Sequence, residues 1–279
     1  VGKTSVTQAV RAALALAGRA HSSVKSYNNH IGVPLTLARM PRETERAVFE
    51  IGMNHADEIA PLSRMVRPHA ALVTTVGPVH VENFPDGEAG VARAKAEIFA
   101  GLEPGGTAVL NADNRWFDLL RGEAEQAGAR VVTFGSGPDC TANLLAFEGR
   151  EGGAVVRARV HGRELTINLL QSGHHWGPNS LAVLLMAEAL DVPLETAVAA
   201  LEGFTPLEGR GAERTVSVPG GAFTLVDESY NANPLSMTAA IRSLGARATG
   251  GRRIVALTDM LELGPDAPRF HADIARDLE

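Results

Sequence analysis

The chain opens on Val1-Gly2-Lys3-Thr4-Ser5 and runs straight into a helical pattern, so Gly2-Lys3-Thr4 reads as the second half of a phosphate-binding loop, G-x-x-x-x-G-K-[ST]. In such a loop the backbone N–H groups and the helix N-terminus cradle phosphate oxygens. Lys3 would reach the β- and γ-phosphates, and Thr4 would hold Mg²⁺. The triplet alone is a weak signal, because a plain helix start explains it too.

Three further residues could join that chemistry. Glu50 closes an apolar run and is followed by Gly52, Asn54 and His55, which places it beyond the carboxyl end of a strand, where α/β sheets collect ligand groups. A Mg²⁺ ligand suits that position; an isolated strand-end carboxylate is more often simply solvated. His80 follows a second strand and the turn Gly77-Pro78, so two successive strand ends deliver Glu50 and His80 to one edge. The histidines His21, His69, His161 and His271 read instead as ordinary surface or turn residues. Lys95, in Ala94-Lys95-Ala96-Glu97-Ile98-Phe99, reads on its own as a solvated lysine, and Asn179 as the N-cap of the helix after it.

The stretch Asp227-Glu228-Ser229-Tyr230-Asn231-Ala232-Asn233-Pro234 ends a strand with small or polar residues and opens a helix at proline. Capping by Asn233 with Pro234 at the first helical position accounts for two of them. The rest exceed what a strand-to-helix connection needs, which typically spans about 2–6 residues. Such a loop is suited to ligands.

The elements that must position these residues alternate between short β-rich runs and helical periods. Helices are predicted over 5–20, 56–66 and 88–100 and around Trp116, Leu119 and Leu120, with strands over 47–53, 70–76, 107–110 and 130–134. The economical reading is α/β, a mostly parallel sheet covered by helices. From about Gly153 the period becomes two: Val156, Ala158 and Val160, then Leu165, Ile167 and Leu169, flank His161-Gly162-Arg163 as an antiparallel hairpin. Helices over 179–190 and 193–203 lead to a turn-rich connector, Pro206-Leu207-Glu208-Gly209-Arg210-Gly211, and a domain boundary is placed near Gly211. A strand 223–227, a helix 234–246, a strand 253–257 and a final helix begin a second α/β unit too short to close its sheet comfortably.

Composition excludes several classes. With 45% apolar residues in 279 the chain is neither disordered nor fibrous. Apolar runs such as 182–186 fall far short of the roughly 20 residues that cross a bilayer, and no leader opens the chain, which predicts a cytoplasmic protein without a membrane partner. Cys140 is the single cysteine, so neither an internal disulfide nor a cysteine-based zinc site is available. A net charge of −6 argues against nucleic acid as a partner. The start at Val1 and the helical period still running at Glu279 suggest that both ends are cut.

In order along the chain, V-G-K-T-S, N-N-H-I-G-V-P-L-T-L, E-I-G-M-N-H, T-V-G-P-V-H-V-E-N-F, A-K-A-E-I-F, L-N-A-D-N, D-E-S-Y-N-A-N-P-L-S-M and D-M-L-E-L-G resemble the Mur ligase family from Val1 to Gly264. The P-loop, glutamate, histidine and lysine are common to the family. N-N-H-I-G-V-P-L-T-L, D-E-S-Y-N-A-N-P-L-S-M and D-M-L-E-L-G point to its member that joins D-alanyl-D-alanine to UDP-MurNAc-tripeptide. The resemblance implies a central ATPase domain over 1–211, without its first strand and half of the P-loop, and the start of a Rossmann-like carboxy-terminal domain over 212–279. It implies no amino-terminal UDP-sugar domain here, a monomer, and a fragment that is inactive by itself.

Residue by residue, the resemblance implies ATP contacts from Val1, Gly2, Lys3, Thr4 and Ser5. It has Thr4 and Glu50 hold the Mg²⁺ between the β- and γ-phosphates, and His80 bind a second Mg²⁺. Lys95 matches the family lysine that becomes a carbamate, an anionic oxygen ligand suited to Mg²⁺. Asn179 would lie near the adenine, Arg210 near the phosphates and Asp227 near the ribose, with Tyr230 and Asn231 in the same loop. Asn28 and Asn29 would face the muramoyl substrate. Gly173-His174-His175 stands where the family writes G-R-H, so the arginine contact is replaced or lost, and Thr258 stands where glycine precedes D-M-L-E-L-G. The implied reaction forms an acyl phosphate from ATP and the tripeptide carboxylate, which the dipeptide amine then attacks. Rivals are another Mur ligase, a folylpolyglutamate synthase, or a P-loop nucleotide-binding module without ligase activity.

Overall fold

The computed structural model describes residues 2–150, 152–247 and 249–278. Its main sheet runs β3 (Ala70–Val73), β4 (Thr107–Asn111), β5 (Arg130–Gly135), β6 (Ala142–Arg150), β7 (Gly153–Val160), β8 (Arg163–Leu169) in spatial order. The first four pair parallel and the last three antiparallel, so a parallel α/β sheet grades into a hairpin. The expected turn at His161-Gly162 joins β7 to β8. A separate parallel pair, β1 (Ala20–Ser22) with β2 (Arg46–Val48), lies beside α1 (Lys3–Ala17).

Alternation along the parallel strands sends side chains to two cores. Val109 faces a core shared with α1, α6 (Trp176–Glu188) and α7 (Leu194–Glu202). Its neighbours Ala108 and Leu110 face the other core, made with α3 (Ile59–Val66), α4 (Glu88–Ala96) and α5 (Phe117–Gln126). Strands covered on both faces read as continuous apolar runs, which is how β4 reads. Helix α6 is buried over nearly its whole length and is correspondingly apolar all round.

The second unit is a hairpin, β9 (Ala212–Val218) with β10 (Gly221–Asp227), followed by α8 (Pro234–Gly245) and α9 (Ala267–Ile274) around Ile241, Met260, Leu263 and Ile274. The expected strand 253–257 does not form. Its backbone has no ladder partner among the described residues, and Ile254 is 75% exposed, so apolar composition alone does not make it a strand. Strands β1 and β6, the strand over Ala212–Val218 and a short helix over Gly32–Ala38 form where none was expected, and other expected elements differ in extent. The strand expected over 47–53 stops at Val48, α3 starts at Ile59, and the helix expected over 88–100 tightens after Ala96 into a 3₁₀ turn over Glu97–Gly101.

That turn sits directly on α3, and a Cβ built at Gly101 would lie 2.1 Å from the Ser63 carbonyl oxygen. In α5, by contrast, a Cβ at Gly122 meets nothing within 4 Å. Gly101→Ala is therefore expected to destabilise by about 1–3 kcal/mol through forced backbone displacement. Gly122→Ala should stabilise by about 0.5–1 kcal/mol through lower helix entropy cost. Urea unfolding of the two variants checks the opposite signs.

Candidate functional site

The turn into α1 is made by Gly2 at φ 78°, a left-handed conformation that glycine adopts without penalty. A side chain there would also press on Asn179, whose Nδ2 is 3.2 Å from the position of a Cβ. Asn179 thus lies against the phosphate-loop glycine. It is buried inside α6, three residues past the start at Trp176, and so is not the N-cap of that helix. Ser5 is buried in the first turn of α1, and Val1 lies outside the described residues.

Glu50 sits two residues past β2 and is only 5% exposed. A buried carboxylate is costly unless both oxygens find donors. Asn28 Nδ2 donates to Oε1 at 2.7 Å and Ser26 Oγ to Oε2 at 3.2 Å. Ser26 Oγ in turn lies 2.6 Å from Thr4 Oγ1, so one hydroxyl links Glu50 to the start of α1. Arg210, from the connector between the units, donates to the same Thr4 Oγ1 at 3.1 Å. The expected grouping of Thr4 with Glu50 is present, with Arg210 beside it.

Asn28 and Asn29 border a cleft of about 410 Å³ that also takes in Gly52, Asn54 and Glu58. Their side chains are differently committed. Asn28 holds Glu50, whereas Asn29 Oδ1 accepts from the Ile31 and Gly32 amides and starts the short helix α2 (Gly32–Ala38).

His80 is half-buried and takes φ 60°, ψ 22°, a conformation that costs a bulky side chain energy and is concentrated at functional sites. Burial pushes its imidazole below the usual value; Glu262 pulls it up, and Lys3 and Lys95 push it further down. Lys95 keeps some solvent contact along its chain, but burial, reinforced by Lys3, lowers its ammonium to about 7. The three groups are thus close enough to feel one another's charge. Among the described residues no three His, Cys, Asp or Glu side chains form a ready-made metal cluster, so any cation here needs oxygens from a ligand as well.

The second unit contributes the loop after β10. Asp227 accepts from the Ser229 amide at 3.0 Å, and hydrogen bonding from the Ser229 side chain and then from that amide lowers its carboxyl, while burial and the Asp227 charge raise Glu228 to about 7 against the pull of Arg210. The Arg210 guanidinium stacks 3.8 Å over the ring of Tyr230, and the Tyr230 amide donates to the Gly209 carbonyl. Asn231 is exposed next to it. Asn233 and Ser236 form the capping box of α8. Leu235 presses into the loop before His80, where its side-chain tip occupies the space that a Cβ at Gly77 would take.

Residues 1–187 match the family model described as the Mur ligase middle domain, and residues 213–279 match that of the Mur ligase, glutamate ligase domain. The chain belongs to the Mur ligase family. Among similar curated proteins is the UDP-N-acetylmuramoyl-tripeptide–D-alanyl-D-alanine ligase of Escherichia coli (strain K12), 34% identical over 287 residues that cover 98% of this chain and 59% of that protein. The enzyme of the same name from Bacillus subtilis (strain 168) is 32% identical over 272 residues, 98% of this chain and 57% of its own length. A crystal structure of MurF from Acinetobacter baumannii is similar with a TM-score of 0.90 at 29% identity, over 100% of this chain and 59% of that one. This Mur ligase chain therefore spans under two thirds of the length of these relatives.

Sequence reasoning missed several residues that position this site. Asn114 Nδ2 donates to Thr75 Oγ1 and to the Val76 carbonyl, so L-N-A-D-N holds the loop that leads to His80. Glu97, two residues after Lys95, accepts from the amides of Asp57, Ile59 and Ala60 and pins α4 to the start of α3. An acidic residue aligned with a helix N-terminus is a recognisable signal only once the two helices are known to meet. His21, His161 and His271 take the ordinary roles expected of them, contacting the Thr36 carbonyl, Glu188 and the Met260 amide. His174 lies against Phe147 with ring centroids 4.6 Å apart, and burial lowers His175 to about 4.

Because a positive neighbour disfavours protonation, removing Lys3 must raise the Lys95 pKa. The pH dependence of Lys95 acylation, followed by peptide mass spectrometry, should show a midpoint near 7 in the parent and a clearly higher one in Lys3→Ala. An unchanged midpoint would mean that Lys3 does not act on Lys95.

Proposed function

We propose that the complete protein is the cytoplasmic, ATP-dependent ligase that joins D-alanyl-D-alanine to UDP-MurNAc-tripeptide in peptidoglycan precursor synthesis. The observation that carries this reading is the meeting of Lys3, His80 and Lys95, with Thr4, the residue after Lys3, tied through Ser26 to the buried Glu50. Simple nucleotide binding needs no such second group of residues. Names carried by relatives similar over 98% of this chain support the substrate pair. Residues 1–211 are read as the central ATPase unit and 212–279 as the start of the carboxy-terminal one. Among the described residues no helix is long and apolar enough to cross a membrane.

The residues fit two Mg²⁺ ions. Thr4 and Glu50 offer hard oxygen donors for one. For the other there are the His80 imidazole and Lys95, whose lowered ammonium leaves a large fraction of neutral amine at neutral pH. A neutral amine adds CO₂ and releases one proton, which converts Lys95 into a carbamate with two oxygens. Bound there, the ions would supply the positive charge that lets one anion approach another.

Each remaining residue has a task in that approach. Lys3 and the α1 amides, with Gly2 and Ser5 in the same turn, hold the β- and γ-phosphates of ATP. Asn179 lies toward the adenine, Asp227 toward the ribose with Tyr230 and Asn231, and Arg210 toward the phosphates. Asn28 and Asn29 border the muramoyl substrate. A carboxylate oxygen of the tripeptide takes the γ-phosphoryl group and ADP leaves. The dipeptide amine then attacks the acyl carbon, an amide forms, the amine loses a proton and phosphate departs.

Release of ADP and phosphate by the complete enzyme, with the two substrates supplied singly and together, tests the reading. Strict dependence on both is expected, with Lys95→Ala slower by roughly 100-fold or more as one source of transition-state charge stabilisation is removed. Hydrolysis indifferent to either substrate would leave only a nucleotide-binding module.

A further inference from the structure

The loop Asp259-Met260-Leu261-Glu262-Leu263-Gly264 belongs to the second unit, yet it rests on the turn that carries His80. His80 Nδ1 is sealed from solvent and lacks a well-aligned hydrogen-bond partner, while Glu262 Oε2 approaches it to 2.5 Å. Both residues hold left-handed backbone, His80 at φ 60° and Glu262 at φ 61°. Two strained residues meeting side chain to side chain across a boundary need an arrangement that over-determines them. That arrangement is visible on either side of the pair. Gly264, at φ 62°, comes so close to Glu82 that an added Cβ would lie 3.2 Å from its Cβ, and Leu235 fills the space over Gly77. Met260 and Leu263 anchor the loop in the small core of the second unit, leaving Glu262 as the side chain it presents to the first.

A histidine that ligates a metal through one ring nitrogen almost always gives the N–H of the other to a carboxylate, a carbonyl or water, which fixes its tautomer and its orientation. Here a carboxylate is in that position, but it comes from the other unit. We infer that Glu262 is a positioning residue for His80: it accepts the Nδ1 proton, leaves Nε2 free to ligate, and so completes the second cation site only when the two units are docked. The inference rests on the reading of His80 as a cation ligand given under Proposed function. It makes the loop of the second unit part of the catalytic apparatus and not merely a hinge contact.

The test uses the complete enzyme with ¹⁵N-labelled histidine, the His80 signals being assigned by their loss in His80→Gln. In metal-free enzyme at mildly alkaline pH, long-range ¹H–¹⁵N spectra should show the Nδ1-protonated tautomer. Glu262→Ala should shift the proton toward Nε2, and Glu262→Gln, whose side-chain carbonyl can still accept, should retain the wild-type tautomer. In parallel, the Mg²⁺ concentration for half-maximal substrate-dependent ADP release should rise roughly 10- to 100-fold in Glu262→Ala and less in Glu262→Gln. Wild-type tautomer and Mg²⁺ dependence in Glu262→Ala would overturn the inference, as would a loss of thermal stability without either change, which is what a purely structural latch produces. If wild-type enzyme shows no substrate-dependent ADP release, the ligase reading fails instead, and the tautomer shift alone decides the Glu262–His80 pairing.

Discussion

A carboxylate that is 5% exposed has to be satisfied on both oxygens, and the way Glu50 meets that demand organises the site. Asn28 and Ser26 reach it from the segment after β1, and Ser26 carries the contact on to Thr4 at the start of α1. Because Arg210 donates to the same threonine, the connector to the second unit is held by the same short chain of polar contacts. Removing one partner from such a buried network leaves a charge without compensation, typically several kcal/mol. The network therefore ties the first helix, a strand end and the inter-unit connector to one point.

Around that point the charges are arranged for anions that are brought in. Lys3 and Lys95 lie close enough to feel one another, and burial first, then the Lys3 charge, lowers the Lys95 ammonium to about 7. Like charges held together in a partly dry site are unfavourable until an opposite charge arrives, which makes the same arrangement favourable for bound phosphates. The second unit adds to this from outside, through Tyr230 under Arg210, Leu235 over Gly77 and Glu262 against His80. The contacts between the two units therefore fall on the residues that line the site.

Much of this was legible in the sequence because strand ends and helix starts leave local marks. Glu50 and His80 stand out by following apolar runs, and the hairpin around His161-Gly162 by its period of two. Other elements left no such mark. Strand β6 carries an irregularity between Leu144 and Ala146 that breaks its alternation, α2 is seven residues long with a proline inside it, and β9 is an exposed strand bearing Glu213 and Arg214. The opposite failure is the stretch 253–257, apolar but unpaired, since a strand depends on a neighbour that local composition does not describe. Lys95 shows the same limit at the site. Its sequence context is that of a solvated helix lysine; only burial beside Lys3 sets it apart, and only the family resemblance flagged it beforehand.

In the proposed reaction a carboxylate is activated by phosphoryl transfer, which leaves one of its oxygens in the phosphate released. With UDP-MurNAc-tripeptide labelled with ¹⁸O in its terminal carboxylate, the complete protein, ATP and D-alanyl-D-alanine, each phosphate released is expected to carry one ¹⁸O atom from the substrate. Phosphate free of ¹⁸O, formed while the amide product accumulates, would rule out the acyl phosphate.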